Sequence, residues 1–107
     1  ILLFHIIYIY FNMSINDNKE LIQIAKALSD NARAAMIAEI AKRGKISCGE
    51  IFESVKLAQP TVSHHLGILE RAGLINVEKN GRFLSISINK DKFSRFKNLI
   101  DNLASIK

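Results

Sequence analysis

The sequence contains a single cysteine, Cys48, among its 107 residues. One thiol can form neither a disulfide within the chain nor a zinc site built from clustered cysteines. Because a chain without disulfides is typical of a reducing compartment, we expect a cytoplasmic protein. The sequence also has only one proline and five glycines, and no stretch rich in either residue. It therefore offers no linker at which it would divide, and its length suits one compact domain.

A membrane-spanning apolar run is also missing, although the first twelve residues are almost wholly apolar and carry no formal charge. This stretch is shorter than the roughly 20 apolar residues that cross a bilayer, and it lacks the features of a secretory signal. We therefore expect no membrane partner. Because Met13 resembles an ordinary translation start, we interpret residues 1–12 as an upstream extension and residues 13–107 as the functional domain. The alternative is an added strand or dimer contact, given the high β-propensity of residues 1–12.

Acidic residues are in the minority, with ten Asp and Glu against fifteen Lys and Arg, and the formal net charge is +5. A small basic domain favours an anionic partner. The sequence shows no nucleophile and base at a plausible spacing, no phosphate-binding glycine loop and no catalytic pair of carboxylates. We therefore predict a binding protein that is not an enzyme and uses no cofactor.

Apolar residues at helical spacing predict a first helix over residues 17–29 and a second helix after it. Asp30 is a suitable N-cap for the second helix, and Gly44 can end it in a conformation of positive φ. Ser47 and Glu50 have the S-x-x-E spacing of a capping box, which predicts a short third helix through about residue 54.

Residues 59–72 predict a fourth helix with two different faces, which Gly73 closes. Val62, Leu66 and Leu69 recur at the spacing of an apolar stripe that packs inward. The opposite face carries small and hydrogen-bonding side chains, with no long acidic residue before Glu70. A helix in the major groove of DNA needs this division, because its inner face packs while its outer face meets phosphates and base edges.

The last third of the sequence predicts a hairpin and a final helix. Asn80-Gly81 lies between two β-prone runs, residues 74–79 and 82–88, and both residues of this dipeptide tolerate positive φ. Residues 91–106 carry apolar side chains at helical spacing. The predicted fold is therefore mainly α with a small β-hairpin wing, a winged helix-turn-helix of order α-α-α-α-β-β-α.

The outer face of the fourth helix and the tip of the hairpin supply the predicted contacts with double-stranded DNA. Gln59 and His64 have the reach for base edges, whereas hydroxyl groups suit phosphate oxygens. The complete predicted set is Gln59, Pro60, Thr61, Ser63, His64, Gly67, Lys79, Asn80 and Arg82. His65 is expected to turn toward the protein's own packing or toward the edge of the groove. Because neighbouring histidines on a helix diverge, we expect no metal site at His64 and His65.

Several motifs have a spacing that is more specific than a generic helix-turn-helix. They are Leu28-Ser29-Asp30 with Arg33, Gln59-Pro60-Thr61-Val62-Ser63-His64-His65-Leu66, Leu69, Ala72-Gly73-Leu74-Ile75 and Gly81-Arg82. With these motifs the chain resembles the ArsR/SmtB family of small winged-helix repressors, from about Lys19 to Lys107. The resemblance implies a homodimer joined by the first and last helices, with the fourth helix contacting DNA. It also implies that a metal or thiol oxidation releases DNA in many members.

The chain departs from the family at the sensing sites. Ser47 and Gly49 occupy the positions of the family's Cys-x-Cys motif, with Cys48 between them, and one thiol cannot supply the paired thiolates that soft metals need. The predicted last helix contains no histidine for the family's other metal site. Lys56 stands at a turn position that is frequently glycine, which predicts strain if the backbone there has positive φ.

A domain of this size offers too little surface to bury two amphipathic terminal helices, so we predict that they dimerise. The predicted interface consists of Leu21, Ile24, Leu28, Phe93, Phe96, Ile100 and Leu103. A twofold dimer would place two DNA-contacting helices roughly 34 Å apart and imply a palindromic operator.

These features predict a sequence-specific transcriptional regulator that represses a promoter by occupying it. Two alternatives stay open, a winged-helix module for protein–protein interaction and a metal- or thiol-responsive repressor with a non-standard sensing site. An inducer, if one exists, could be a protein or a small molecule. Cys48 would be reactive if its position in a first helical turn lowered its pKa, but without a partner thiol an inert side chain is the favoured interpretation.

Overall fold

The computed structural model describes the backbone of residues 1–105 and the side chains of residues 1–7 and 15–105. The elements in chain order are α1 (Leu2–Leu28), α2 (Asn31–Arg43), β1 (Lys45–Ser47), α3 (Cys48–Ser54), α4 (Gln59–Arg71), β2 (Ile75–Asn80), β3 (Phe83–Ile88) and α5 (Lys90–Ser105). The predicted order of helices and hairpin is confirmed, with one strand, β1, in addition. Residue 106, the predicted end of the last helix, lies outside the described residues.

The first helix begins much earlier than predicted. α1 starts at Leu2 instead of residue 17, so the alternative that residues 1–12 form a strand is wrong. The side chains of residues 1–7 are exposed, and packing therefore does not explain their helical backbone. Extending a helix that is already nucleated costs little, which overrides the β-propensity of this stretch. The upstream-extension interpretation stays a prediction. Among the described residues, no helix is both long and apolar enough to span a membrane.

The second helix begins and ends at the predicted residues. The Asp30 side chain accepts a hydrogen bond from the backbone N–H of Arg33 at 3.0 Å, and this hydrogen bond lowers the pKa of the Asp30 carboxyl. Gly44 has φ +80° at the other end, and its N–H donates to the carbonyl of Ile40 at 2.9 Å. A side chain at this position would strain the backbone, so glycine suits the end of α2.

The predicted capping box at the start of α3 is also confirmed. The Ser47 hydroxyl accepts a hydrogen bond from the Glu50 backbone N–H at 3.1 Å, and the Glu50 carboxylate accepts one from the Ser47 N–H at 3.3 Å. Hydrogen bonding to Ser47 lowers the pKa of Glu50. Ser47 is at the same time the last residue of β1, where it pairs with Ser85 of β3. One residue thus joins the sheet to α3.

The three strands form an antiparallel sheet of order β1-β3-β2. The sequence did not predict β1, because three residues are too few to display an alternating pattern. In β1 only Ile46 is buried, opposite Ile86 at the centre of the sheet. Strand β3 therefore pairs on both sides, and the wing is anchored to the helical body through β1.

The hairpin loop is shifted by one residue from its predicted position. Asn80 pairs with Phe83 inside the ladder, so the loop consists of Gly81 and Arg82. Gly81 has φ +63°. In the described part of the chain, every residue with positive φ is a glycine. Glycine at the first loop position is typical of a type II′ turn, whereas the predicted Asn-Gly loop needs positive φ at both residues. Because Lys56 does not have positive φ, the strain expected at this position is absent.

The core lies between the helices and one face of the sheet. Its buried residues are Ile24, Ala27, Met36, Ile40, Ile46, Ile51, Val62, Leu66, Leu69, Ala72, Leu74, Ile75 and Ile86. The predicted apolar stripe of α4 is therefore confirmed as a packing face. Ile24 is fully buried in this core, which corrects its prediction as an interface residue, because its side chain is already covered within one chain. Leu28, Phe93 and Phe96 are partly buried against the same core.

The Ser47 cap provides a test of this architecture. Replacing the hydroxyl in Ser47→Ala leaves the Glu50 N–H without its partner, and we expect the free energy of unfolding to fall by about 1 kcal/mol. Urea denaturation at one fixed protein concentration measures this change. Ser63→Ala, at an exposed position inside α4, is the matched control and should not destabilise the protein. Equal destabilisation by both substitutions would contradict the capping role.

Candidate nucleic-acid interface

The structure exposes the predicted outer face of α4 and buries its inner face. Val62, Leu66 and Leu69 lie in the core. The predicted DNA contacts that α4 exposes to solvent are Gln59, Pro60, Thr61, Ser63 and His64. Ala58, the N-cap of α4, supplies no side-chain cap, and Pro60 in the first turn has no N–H that would need one.

Gly67, the remaining α4 candidate, is partly covered by a residue that the sequence analysis missed. Arg71 lies one turn further along, and a helical side chain leans back over the turn before it. A Cβ built on Gly67 would stand 3.2 Å from the Arg71 Nη1 atom. The missing side chain at Gly67 therefore leaves room for the guanidinium. The four-residue spacing of Gln59, Ser63, Gly67 and Arg71 was the sequence signal that could have identified Arg71.

The two neighbouring histidines have different surroundings. His64 is exposed, whereas His65 is partly buried, and their ring centroids are 5.8 Å apart. The Arg33 Nη1–H donates to His65 Nδ1 at 3.1 Å. A guanidinium can only donate, so the ring proton of a neutral His65 belongs on Nε2. His65 thus turns toward the protein's own packing, the first of the two orientations that the sequence predicted.

Arg33 joins three helices at one point. Its Nε–H donates to the carbonyl of Ala27 at 2.6 Å, and its Nη2 donates to the carbonyl of Lys26 at 3.3 Å. These contacts tie the end of α1 to α2, while the contact with His65 reaches α4. Asp30 Oδ2 lies 3.9 Å from the same His65 nitrogen, too far for a hydrogen bond. Arg33, and not Asp30, therefore orients the imidazole of His65.

The wing tip brings cations and exposed apolar groups together. Lys79, Asn80 and Arg82 are all exposed, as expected of DNA contacts. Phe83 is 71% exposed on the polar face of the sheet. Leu84 shares the other face of β3 with buried Ile86, but it is 42% exposed because it pairs with Lys79 beyond the edge of the core.

The structure gives no support to a sensing site at Cys48. The thiol is partly buried, and burial raises its pKa. A raised pKa leaves less of the reactive thiolate, which favours the inert interpretation over the reactive one. In the part of the chain that the structure describes, no group of three His, Cys, Asp or Glu side chains could hold a metal ion. The expectation that the protein binds no metal stays a prediction.

Comparison with known proteins agrees with this geometry. A family model described as a helix-turn-helix domain matches residues 28–78. The HTH-type transcriptional regulator YceK of Bacillus subtilis (strain 168) is 36% identical over 90 residues, which cover 83% of this chain and 90% of that protein. The transcriptional repressor SdpR of the same organism is 35% identical over 66 residues, 62% of this chain and 72% of that protein. A crystal structure of an ArsR family transcriptional regulator superposes with a TM-score of 0.72 at 26% identity, covering 81% of this chain and 89% of the other.

The fold, the divided α4 helix and these similarities define a DNA-binding protein of the winged helix-turn-helix class. The chain belongs to the ArsR/SmtB family of transcriptional regulators, so the predicted family is confirmed. Its relatives are regulators of transcription and not enzymes.

The contacts of Arg33 lead to a stability prediction. Lysine keeps the charge but cannot direct separate N–H groups at Ala27, Lys26 and His65. We expect Arg33→Lys to lower the free energy of unfolding by about 1–3 kcal/mol, measured by urea denaturation. Arg82→Lys is the matched control at the exposed wing tip and should leave stability unchanged. An Arg33→Lys protein as stable as the control would show that these hydrogen bonds do not hold the helices together.

Proposed function

We propose that this chain is a homodimeric repressor that occupies a palindromic operator, using α4 and the wing as its DNA contacts. The observation that carries the proposal is the division of α4 between a buried apolar stripe and an exposed face. Gln59 and His64 lie on the exposed face with no acidic neighbour on the first three turns. The net charge of +5 favours the approach of this face to phosphates.

Each exposed group on α4 has a distinct proposed role. Gln59 and His64 contact base edges in the major groove, since both can donate and accept hydrogen bonds. Thr61 and Ser63 donate their hydroxyl protons to phosphate oxygens. Pro60 adds little bulk at the start of the helix, and Gly67 leaves room for the guanidinium of Arg71.

We add Arg71 to the proposed DNA contacts. Its guanidinium lies over Gly67 on the line that continues Gln59 and Ser63 along the helix. A guanidinium binds a phosphate or the edge of a guanine through two hydrogen bonds. Arg71 thus supplies the cation that the first three turns of α4 lack.

The wing is the second proposed contact with each half of the operator. Lys79 and Arg82 bring two positive charges to its tip, with the amide of Asn80 between them. Cations at this place suit phosphates or the minor groove, where apolar side chains also insert. Exposed Phe83 is placed beside these cations, so it can pack against sugars or base edges of the same groove.

The arrangement of the two terminal helices is the argument for the proposed dimer. Arg95 binds Asp17 at 2.8 Å and Glu20 at 3.2 Å, and Lys92 binds Glu20 at 3.2 Å, so α5 is tied to α1 by ion pairs. Ile100 and Leu103 remain 44% and 50% exposed on α5. We propose that these two side chains form the centre of the interface, and that Leu21, Leu28, Phe93 and Phe96 complete it.

A second candidate function is assembly with another protein. The exposed apolar side chains of residues 1–7 favour it, because apolar patches often mark protein interaction sites. Weak DNA binding without salt dependence, together with a tight protein partner, would support this candidate over the repressor.

Base contact by His64 is tested by His64→Ala. We expect a loss of about 1–3 kcal/mol in binding free energy on the preferred operator and a smaller loss on scrambled DNA. Fluorescence anisotropy on the DNA upstream of the protein's own gene measures both. The control is His5→Ala, at an exposed histidine near the start of α1. This substitution should change neither affinity. An equal loss on both DNAs would show that His64 does not contact bases specifically.

The α5 interface is tested by replacing Ile100 and Leu103 with aspartate in one protein. Because charges cannot be buried in an apolar contact without large cost, we expect a monomer in sedimentation equilibrium. Losing the second binding module should weaken operator binding by about a hundredfold. Asn98→Asp adds a charge at an exposed position of the same helix and should leave the dimer intact. A dimer that survives the double substitution would place the interface elsewhere.

A further inference from the structure

A cleft of about 300 Å³ lies between α1, α2 and α4, on the side of α4 away from its N-terminus. Its floor is apolar and consists of the buried Ala27 and Ala72 and the partly buried Ile68. Its rim is polar and contains the amide of Gln23. The volume is at the small end of the range for ligand pockets, so the cleft suits a small molecule and not a peptide.

The rim of the cleft is strongly positive. Lys26, Arg33 and Arg71 line it, and no acidic residue does. Arg33 is held by its hydrogen bonds to α1 and His65. Lys26 and Arg71 are exposed, and neither forms an ion pair with a side chain that the structure describes. Two cations beside the same apolar floor are therefore free to bind an anion.

We propose that this cleft binds a small organic anion, a carboxylate or phosphate monoester with a compact apolar body. The apolar body covers Ala27, Ile68 and Ala72, and the anionic group accepts hydrogen bonds from Lys26 and Arg71. An inorganic ion would gain nothing from the apolar floor, and a neutral apolar molecule would gain nothing from the two cations. The combination of floor and rim selects a molecule with both properties.

Binding in the cleft competes with DNA for the same guanidinium. Arg71 lines the cleft and also lies over Gly67 on the exposed face of α4. One guanidinium cannot serve a DNA phosphate and a ligand in the cleft together, and the bound negative charge also repels the DNA backbone. The anion therefore lowers DNA affinity, as an inducer does. This regulatory half of the inference rests on the proposed function, whereas the binding site itself does not.

The site is tested first without DNA. We would titrate the full-length ¹⁵N-labelled chain with phenyl phosphate and, separately, with neutral benzyl alcohol. Phenyl phosphate should give saturable shifts of the backbone amides around residues 23–28 and 68–72, and benzyl alcohol should not. The double variant Lys26→Gln, Arg71→Gln should keep its dispersed spectrum and lose these shifts.

The charge-matched control is Lys90→Gln, Lys97→Gln, which removes two cations from α5, a helix that does not line the cleft. It should bind phenyl phosphate like the wild type. The site is overturned if the cleft amides do not shift, if both compounds shift them equally, or if the Lys26, Arg71 variant still binds.

The coupling to DNA is tested by anisotropy at constant ionic strength adjusted with chloride. Saturating phenyl phosphate should raise the Kd for the operator by about fivefold or more in the wild type, and it should have no effect on Arg71→Gln. If the double variant loses DNA affinity while the wild type binds no phenyl phosphate, Arg71 serves DNA alone and the proposal is wrong. If phenyl phosphate binds but the chain prefers no DNA sequence, the site stands and the proposed function fails.

Discussion

The position of α4 depends on the guanidinium of Arg33. This one planar group donates to a carbonyl at the end of α1 and to the ring of His65 in α4, while its own backbone N–H is held by the Asp30 cap. Three helices meet at a single set of directional hydrogen bonds, in addition to the apolar core below them. Through His65 this contact reaches α4, and Arg33 also lines the neighbouring cleft beside Arg71.

The features that the sequence predicted well depend on residues close together in the chain. The Asp30 cap, the capping box of Ser47 and Glu50, and the glycine at the end of α2 are each defined within about one helical turn. The apolar stripe of α4 was predictable because helical spacing alone decides which side chains share a face. The exposed DNA-contact candidates of α4 followed from the same spacing.

Strand β1 and the burial of Ile24 were missed because they depend on distant contacts. Strand β1 exists because Ile46 pairs with Ile86, forty residues further along the chain. Ile24 lies on an apolar stripe whose spacing cannot reveal whether its own chain or a second copy covers it. The place of Arg71 over Gly67 follows from four-residue spacing, whereas the cleft that it shares with α1 depends on a distant contact. The hairpin loop shifted because the pairing of Asn80 with Phe83 prevailed over the Asn-Gly turn preference.

The junction at Ser47 has a consequence for how this protein can vary during evolution. Ser47 ends β1 and caps α3, so no spare residue separates the sheet from the helix-turn-helix. Inserting one residue here would shift the strand by about 3.3 Å and turn its side chains to the opposite face of the sheet. Substitutions around Ser47 should therefore be tolerated far more easily during evolution than insertions or deletions in this segment. The hairpin loop is solvent-exposed at its tip and closes no core contact, so it can lengthen at small entropic cost.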